Sequence, residues 1–411
     1  MTIDTHNLRE AIEAFRDVYG EDTFDSYRRK EIERLTKKWA WYLSDRATTP
    51  EGKVIEMEPI PTRQWPTLAC MLENQVLANP QYKSVFEATS HSDISLPVKF
   101  SLPLIRAIFP QLIMNKLCLI QPMPPSSGGT MQLFWKATYR QDPSSEVNVT
   151  TANSLYSQHA TDSTVPNQLK IKITSTNVSA TQDMLMAVWP TRTEEDLRGV
   201  MGLDLDADLI NDMAAEIMRE LEQRVIATMY AGATAGNSDW HWTKPDAYTS
   251  HTEYYQTLFH TFIDAEALIR AAHYRGADYI VAGATVLGYM EKANWFGGLN
   301  RDKSGSGPFR SAVEFRGTKG MWDVYYSPYL TATTAFMSFY PEMPLSGGYI
   351  WAPYIPFMPM PKIYAEAKAV DDETLPGALI ANDQWTRRVR TRNAQYFCAP
   401  TMFATITSAA S

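Results

Sequence analysis

Three histidines and one carboxylate in the stretch 240–272 are the residues best suited to chemistry: His241, His251, His260 and Asp264. His260 and Asp264 are four positions apart, which places them on one face of a helix, as two ligands of a metal would be. No His-Glu-x-x-His motif accompanies them. We therefore expect exposed or hydrogen-bonded histidines. A metal-dependent hydrolase using His241, His251 and His260 is the alternative.

Other signatures of catalysis are missing from the sequence. It contains neither a Gly-x-Ser-x-Gly elbow nor a phosphate-binding loop. Its three cysteines, Cys70, Cys118 and Cys398, are far apart and odd in number, which predicts buried free thiols in a reducing compartment. The sequence thus predicts a protein that is not an enzyme, with no catalytic, metal or cofactor-binding residue and no cofactor.

Three arginines near the C-terminus alternate along one probable strand. Arg388, Arg390 and Arg392 therefore share one of its faces. Binding of nucleic acid would favour aromatic side chains between them, and only Trp385 and Tyr396 are nearby. Ion pairs between subunits are the preferred interpretation, although an exposed pair contributes only about 0 to 1 kcal/mol.

Composition narrows the class of protein further. The 411 residues carry a formal net charge of −8, and 45% of them are hydrophobic. This charge argues against a surface that coats nucleic acid, which would need clustered Lys and Arg. The N-terminus shows no secretion signal. The uncharged run 343–361 contains five prolines, which argue against a membrane span.

The elements around these residues follow from hydrophobic periodicity. The run 102–113 predicts a helix that breaks near Phe109, because Pro110 cannot continue it. Residues 121–129 predict an irregular loop, and 131–139 alternate as a half-buried strand. A long helix is predicted over 204–230, capped by Asp204 or Asp206.

The remaining regions of the chain predict secondary structure in less detail. Residues 7–46 predict two amphipathic helices, and the proline-rich stretch 50–66 predicts a linker. Residues 265–295 read as helix, strand and helix, with a further strand over 323–326. Between 140 and 168 the chain is polar, which predicts an excursion between two strands.

Several of these motifs resemble one family. Arg106 to Ile113 with Pro110, then Gln121-Pro122-Met123 and a Pro/Ser/Gly loop into an aromatic strand, resemble the start of the mature domain in major capsid proteins of T-even-like tailed phages. The turn Pro-Pro-Ser-Ser-Gly-Gly departs from the family pattern, and a second arginine before the proline is absent. Tyr349 to Tyr354 and Arg390 to Asn393 resemble two later motifs of that family.

The resemblance implies an α+β, HK97-like phage major capsid fold. Its implied parts are an N-terminal helical arm or propeptide (1–99), the start of the mature core (100–139), an E-loop (140–168), a peripheral domain with a spine helix (169–250), an axial domain (251–350) and a return to the peripheral domain (351–411). The candidate assembly residues are Arg106, Pro110, Gln121, Pro122, Met123, Arg388, Arg390 and Arg392.

The implied function is a major capsid protein that assembles into hexamers of an icosahedral head shell. The shell would enclose DNA without sequence-specific binding and without a membrane. Scaffold, vertex, portal and decoration proteins would be further partners. The protein would be made in the host cytoplasm and reside in the virion. Another virion or compartment shell protein of the same fold is a second alternative.

The resemblance also implies a maturation cleavage between Glu87 and Ala88, since Val85-Phe86-Glu87 loosely fits the phage protease pattern. Leu8-Arg9-Glu10 fits equally loosely. We expect the intact mass of the shell protein in mature particles to match a chain that starts at Ala88. A full-length mass in those particles would contradict the cleavage.

Overall fold

The computed structural model describes residues 7–13, 26–44, 46–48, 54–56, 60–78, 105–106, 108–141, 146–148, 168–202, 204–241, 244, 250–273, 275–295, 311–341, 348–360, 362–365, 368–369, 379–380 and 384–408. The predicted cleavage site, Glu87 and Ala88, and the glycine-rich stretch 297–307 lie outside these residues.

The N-terminal region is helical, as predicted, and it packs on the core. Residues 7–13 are helical and α1 spans Ser26–Leu43. The buried side chains of α1 recur mostly at intervals of three and four residues, namely Ile32, Leu35, Thr36, Trp39, Ala40, Tyr42 and Leu43. This spacing lines one face of the helix, which lies against the next helix.

The predicted linker over 50–66 is only partly correct. Strand β1 (Arg46–Thr48) pairs with β2 (Val54–Glu56), and a 3-10 turn covers Thr62–Gln64. Helix α2 (Trp65–Ala78) starts inside the stretch, because a proline at its second position, Pro66, is tolerated where no amide bond is needed. Eleven residues of α2 are buried, so it lies between α1 and the body of the protein.

The predicted helix over 102–113 is not continuous in the described part of that run. Phe109–Gln111 form a 3-10 turn, the chain then extends at Leu112, and α3 covers Met114–Leu117. Pro110 causes the interruption near Phe109, as expected. Strand β3 (Leu119–Ile120) follows, and the loop after it is irregular apart from the 3-10 turn Pro125–Ser127.

A two-stranded arm projects from this loop. Strand β4 (Thr130–Gln141) pairs in antiparallel register with β6 (Gln168–Ser179), from Thr130 opposite Ser179 to Gln141 opposite Gln168. The short β5 (Glu146–Asn148) pairs with the outer end of β4. The predicted strand pair is therefore confirmed, and each strand is longer than expected.

The next elements lead to the long helix. Strand β7 spans Thr181–Pro190, α4 spans Thr191–Met201 and α5 spans Leu205–Ala231. The predicted long helix is confirmed. Asp204 stands at its N-cap without a side-chain capping bond, and Asp206 lies in its first turn.

The remaining elements follow in chain order. They are β8 (Gly236–Trp240), α6 (His251–His273), β9 (Tyr279–Ala282), α7 (Ala284–Lys292), β10 (Glu314–Lys319), β11 (Trp322–Tyr326), β12 (Ala335–Ser338), β13 (Tyr349–Pro359), β14 (Ile363–Ala365), β15 (Lys368–Ala369), β16 (Leu379–Ile380), β17 (Gln384–Phe397) and β18 (Ala404–Ser408). The helix, strand and helix predicted over 265–295 and the strand over 323–326 are confirmed.

Two mixed sheets organise the body. One has the order β10-β11-β9-β12-β18-β8, and the other has β14-β17-β13-β3 with β7 on the second side of β17. Strands β8 and β18 lie outside the range 251–350 predicted for the axial domain, yet they belong to the first sheet. The domain boundaries therefore stay predictions. Strand β13 is buried along almost its whole length, which explains its uncharged sequence.

Helix α2 provides a test of whether the N-terminal region is part of the core. Leu72 is 1% exposed and Leu77, on the same helix, is 55% exposed. We expect Leu72→Ala to lower the free energy of unfolding by about 2–5 kcal/mol, because it leaves a cavity. Leu77→Ala, the matched control, should change it by less than about 0.5 kcal/mol. Denaturant unfolding of unassembled protein measures the free energy of unfolding of both variants. If the two substitutions lower it equally, α2 is not part of the core.

Candidate assembly surface

The histidines singled out by the sequence do not form a site in the described part of the chain. His241, His251, His260 and Asp264 are all exposed. The ring of His251 lies 5.9 Å from that of Tyr255. Among the described residues, no three His, Cys, Asp or Glu side chains are grouped to hold a metal. The geometry therefore gives no support to the hydrolase alternative.

The cysteines are free, as predicted. Cys70 and Cys118 are buried and Cys398 is half-buried. Burial raises the pKa of the Cys70 and Cys118 thiols far above its ordinary value, so they stay protonated and unreactive.

The predicted assembly residues 121–123 lie inside the subunit. The amide of Gln121 donates to the carbonyl of Trp351 at 3.0 Å, and that of Met123 donates to Pro353 at 3.2 Å. Both side chains are buried, Gln121 at 4% and Met123 at 0% exposure. The segment therefore continues the pairing of β3 with β13, and any role in assembly is indirect and stays a prediction.

An amide that the sequence did not single out fixes this segment. Asn74, buried on α2, donates from Nδ2 to the carbonyls of Met123 and Tyr354, each at 2.8 Å. Arg28 donates to the carbonyl of Pro122 at 3.0 Å. Side chains of two N-terminal helices thus donate hydrogen bonds to backbone oxygens of this segment and of β13.

Arg106 and Pro110 also have intramolecular roles. Arg106 donates to the carbonyl of Tyr42 and lies 5.4 Å from the centre of the Tyr42 ring. Arg106 thereby attaches the C-terminal end of α1 to the chain just before the 3-10 turn Phe109–Gln111. Pro110 is half-buried and lines a cleft together with Ile113 and Phe315. Their contribution to contacts between subunits stays a prediction.

The alternating arginines share one face of β17, as predicted. Arg388 is exposed, whereas Arg390 and Arg392 are half-buried. Arg392 donates to the carbonyl of Ala180 at 3.2 Å and lies 5.2 Å from the centre of the Tyr354 ring. It therefore braces the base of the arm, and both of these partners are uncharged.

The opposite face of β17 carries an arginine that sequence reasoning missed. Arg387 is 5% exposed, and its Nε lies 3.6 Å from a carboxylate oxygen of Asp206 in the first turn of α5. Burial raises the pKa of Asp206, and the nearby guanidinium of Arg387 opposes that rise. The available signal was the alternation with Val389 and Thr391, which assigns Arg387 to the buried face.

A second missed residue is Glu222, which is fully buried on α5. Its Oε1 accepts hydrogen bonds from the amide of Ile113 at 3.2 Å and from the hydroxyl of Ser311 at 2.7 Å. Its Oε2 has no hydrogen-bond partner among the described residues. Burial raises the pKa of Glu222, although these hydrogen bonds work against the shift. Glu222 thus links the long helix to the turn before α3 and to the segment before β10.

A comparison with known families identifies the chain. The family described as "Major capsid protein Gp23" matches residues 128–377, which is more than half of the 411 residues. The chain belongs to the Gp23 major capsid protein family. The resemblance to T-even-like phage capsid proteins is thereby confirmed. The HK97-like α+β fold agrees with both the family and the order of the elements.

One curated relative is similar over a short region. The major capsid protein of Vibrio phage KVP40 is 34% identical over 74 residues, which is 18% of this chain. The match covers 14% of the relative's own length.

Solved phage structures are similar at low identity. Mycobacterium phage Adephagia gives a TM-score of 0.42 at 11% identity, covering 73% of this chain and 90% of that one. The capsid of cyanophage P-SCSP1u gives 0.42 at 12%, covering 80% and 95%. The capsid of Myoviridae phage XM1 gives 0.39 at 9%, covering 68% and 86%.

In this member of the Gp23 family, three buried polar residues join separate elements. Asn74 joins α2 to β13, Arg387 joins β17 to α5, and Glu222 joins α5 to two loops. Gp23 capsid proteins are structural proteins and not enzymes. No helix in the described part of the chain has the length and apolarity to cross a bilayer.

Glu222 makes stability depend on pH in a defined direction. Its pKa is higher in the folded than in the unfolded chain, so as pH rises the unfolded chain loses this proton first. The free energy of unfolding therefore falls with rising pH, by at most about 1.4 kcal/mol per pH unit, between the ordinary glutamate pKa and the raised value. We expect Glu222→Gln to be close to neutral below this window and stabilising above it.

Denaturant unfolding of wild type and variant across this pH range measures the effect. Glu220→Gln is the matched control, because Glu220 is exposed on the same helix. An advantage of Glu222→Gln that does not grow with pH, or that Glu220→Gln reproduces, would show that folding does not raise the pKa of Glu222.

Proposed function

We propose that this chain is the major shell subunit of a tailed-phage head, which assembles through repeated contacts into hexamers and a closed icosahedral shell around DNA. The family match over residues 128–377 carries this proposal. A subunit with head-to-tail contacts forms a ring when the rotation closes, and rings joined by further contacts form a shell.

The arm supports the proposal on physical grounds. Its two strands run for twelve residues each, which is ~40 Å at about 3.4 Å per residue. A two-stranded hairpin is at best marginally stable alone in water, so an arm of this length needs a second surface. A neighbouring subunit supplies that surface in the proposed shell.

The finer predictions belong to the same proposal. The arm corresponds to the E-loop, α5 to the spine helix and the β9-containing sheet to the axial domain. Contacts with scaffold, vertex, portal and decoration proteins are further expectations, as are synthesis in the host cytoplasm and location in the virion. A compartment shell of the same fold is less favoured, because the family match is to a capsid protein.

The structure offers a specific test of the arm. Gln141 and Gln168 are directly opposite, so an Asn-Gly turn can replace residues 142–167 and close the hairpin. We expect wild type to form hexamers, sheets or shells in electron microscopy and light scattering. The shortened variant should keep its melting temperature within a few degrees but stay unassembled.

Two outcomes would contradict this view. A wild-type chain that remains a discrete monomer or dimer at high concentration, and that binds zinc, would revive the histidine hypothesis. Normal assembly of the shortened variant would show that assembly does not require the arm. The proposed shell function would still stand.

A further inference from the structure

Three hydrogen-bond donors from two separate segments converge on the carboxyl group of Glu222. Its Oε1 accepts from the amide of Ile113 and from the hydroxyl of Ser311, and the amide of Ala312 donates to the same group. The hydroxyl of Ser311 also accepts a hydrogen bond from the amide of Val313 at 3.1 Å. One side chain of α5 therefore fixes both segments.

The two segments lead into different sheets. The turn at Ile113 continues through α3 into β3 of the second sheet. The segment 311–313 continues into β10, which is an edge strand of the first sheet. Glu222 thus attaches both sheets to the long helix at one point, and release of its carboxyl group would loosen both attachments together.

A cleft of about 90 Å³ lies beside these contacts. Ile113 and Ser311, which bond to Glu222, both line it. Gln111 and Lys116 line it as well, and because their side chains are exposed the cleft reaches the surface. The cleft has room for a few water molecules. Water there contacts the same residues that hold the buried carboxyl group.

The buried arrangement favours the protonated carboxyl group. Glu222 is 0% exposed, and its Oε2 has no hydrogen-bond partner among the described residues. A negative charge on this oxygen would therefore lack both water and a donor, which is costly. Ionisation favours any movement that brings water to Oε2.

The groups that face Glu222 from its own helix and from the segment after β11 do not supply a substitute for water. Arg219, on α5, has only the smallest of the effects that lower the pKa of Glu222, and its guanidinium pairs with Glu216 at 2.9 Å. Tyr329 has a hydroxyl without a hydrogen-bond partner among the described residues. Burial and, to a smaller extent, the charge of Glu222 raise the pKa of Tyr329, so the phenol keeps its proton.

The cleft contributes two charged groups and one phenol. Lys116 on α3 and Glu314 at the start of β10 line it, and Glu314 pairs with Arg316 at 3.0 Å. The hydroxyl of Tyr325 is bonded to that of Tyr340 at 2.9 Å. Lys116 is the one cationic side chain among the described residues that line the cleft. A carboxylate that becomes accessible from the cleft would therefore meet water and a cation.

We propose that Glu222 is a proton-controlled latch. With its proton in place, it holds the turn at Ile113 and the segment 311–313 against α5. When the carboxyl group gives this proton to water, the segment 311–313 separates from α5, water enters from the cleft, and the rest of the fold stays intact. Rising pH thereby loosens the attachment of both sheets to the long helix. The latch belongs to the single subunit and does not rest on the proposed shell function.

Hydrogen–deuterium exchange of the unassembled protein, measured on peptides by mass spectrometry, tests the latch. The amides of Ile113 and Val313 report on it, because both are held by the bonds around Glu222. The pKa of Glu222 is higher in the latched form than after opening, so the latch is complete at low pH and weakens as pH rises. Protection factors, corrected for the intrinsic exchange rate, should fall by up to about tenfold per pH unit above the ordinary glutamate pKa. Peptides from β13 should keep their protection.

Two variants and a control make the test specific. Glu222→Gln keeps the size of the side chain but cannot ionise, so the protection of both segments should no longer depend on pH. Glu220→Gln, at an exposed site on the same helix, should show the wild-type fall. Ser311→Ala removes one donor. It should lower the protection of the segment 311–319 at every pH and keep the fall with rising pH.

Three outcomes would overturn the latch. They are protection of both segments that does not vary with pH in the wild type, a fall in Glu222→Gln as large as in the wild type, and an equal fall in β13, which would assign the effect to global unfolding. If Glu222→Gln does not fold, the wild-type series and Ser311→Ala still decide. None of these measurements involves assembly, so the shell function and the latch stand or fail separately.

Discussion

The backbone pairing of β17 is the interaction on which most of the subunit depends. This one strand bonds β7 on one side and β13 and β14 on the other. Its buried face meets the long helix through Arg387, and its open face braces the arm through Arg392. The chain then continues through a 3-10 turn, Pro400–Met402, into β18 of the first sheet. The arm, the long helix and both sheets are therefore positioned relative to one strand.

Buried polar groups define how these parts meet. Asn74, Glu222 and Arg387 each join elements far apart in sequence, and each would be costly to bury without its partners. Apolar contacts tolerate small shifts of one element against another. A hydrogen bond from a fixed donor tolerates much less movement. These residues favour one arrangement of the elements more than they add to the total stability.

The sequence predicted the elements whose patterns are long and regular. The stripe of α5, the arm strands and the uncharged β13 were all predictable, because burial repeats along them with a clear period. The run 102–113 was misleading. Its apolar spacing suits a helix, but Pro110 and the hydrogen bond of Ile113 to Glu222 favour two short turns. Asn74 and Glu222 were not predicted, since their partners are backbone or hydroxyl groups that leave no mark in the sequence.

The distance along the chain between β7 and β17 has a consequence for synthesis. Ala180 and Arg392, which meet at the base of the arm, are 212 positions apart. Contacts of such high order form late, after nearly the whole chain has left the ribosome. A chain that lacks its last thirty residues lacks β17, and with it the arginine row and the partner of β7. Incomplete chains therefore cannot complete this sheet, because the strand that joins β7 to β13 is missing from them.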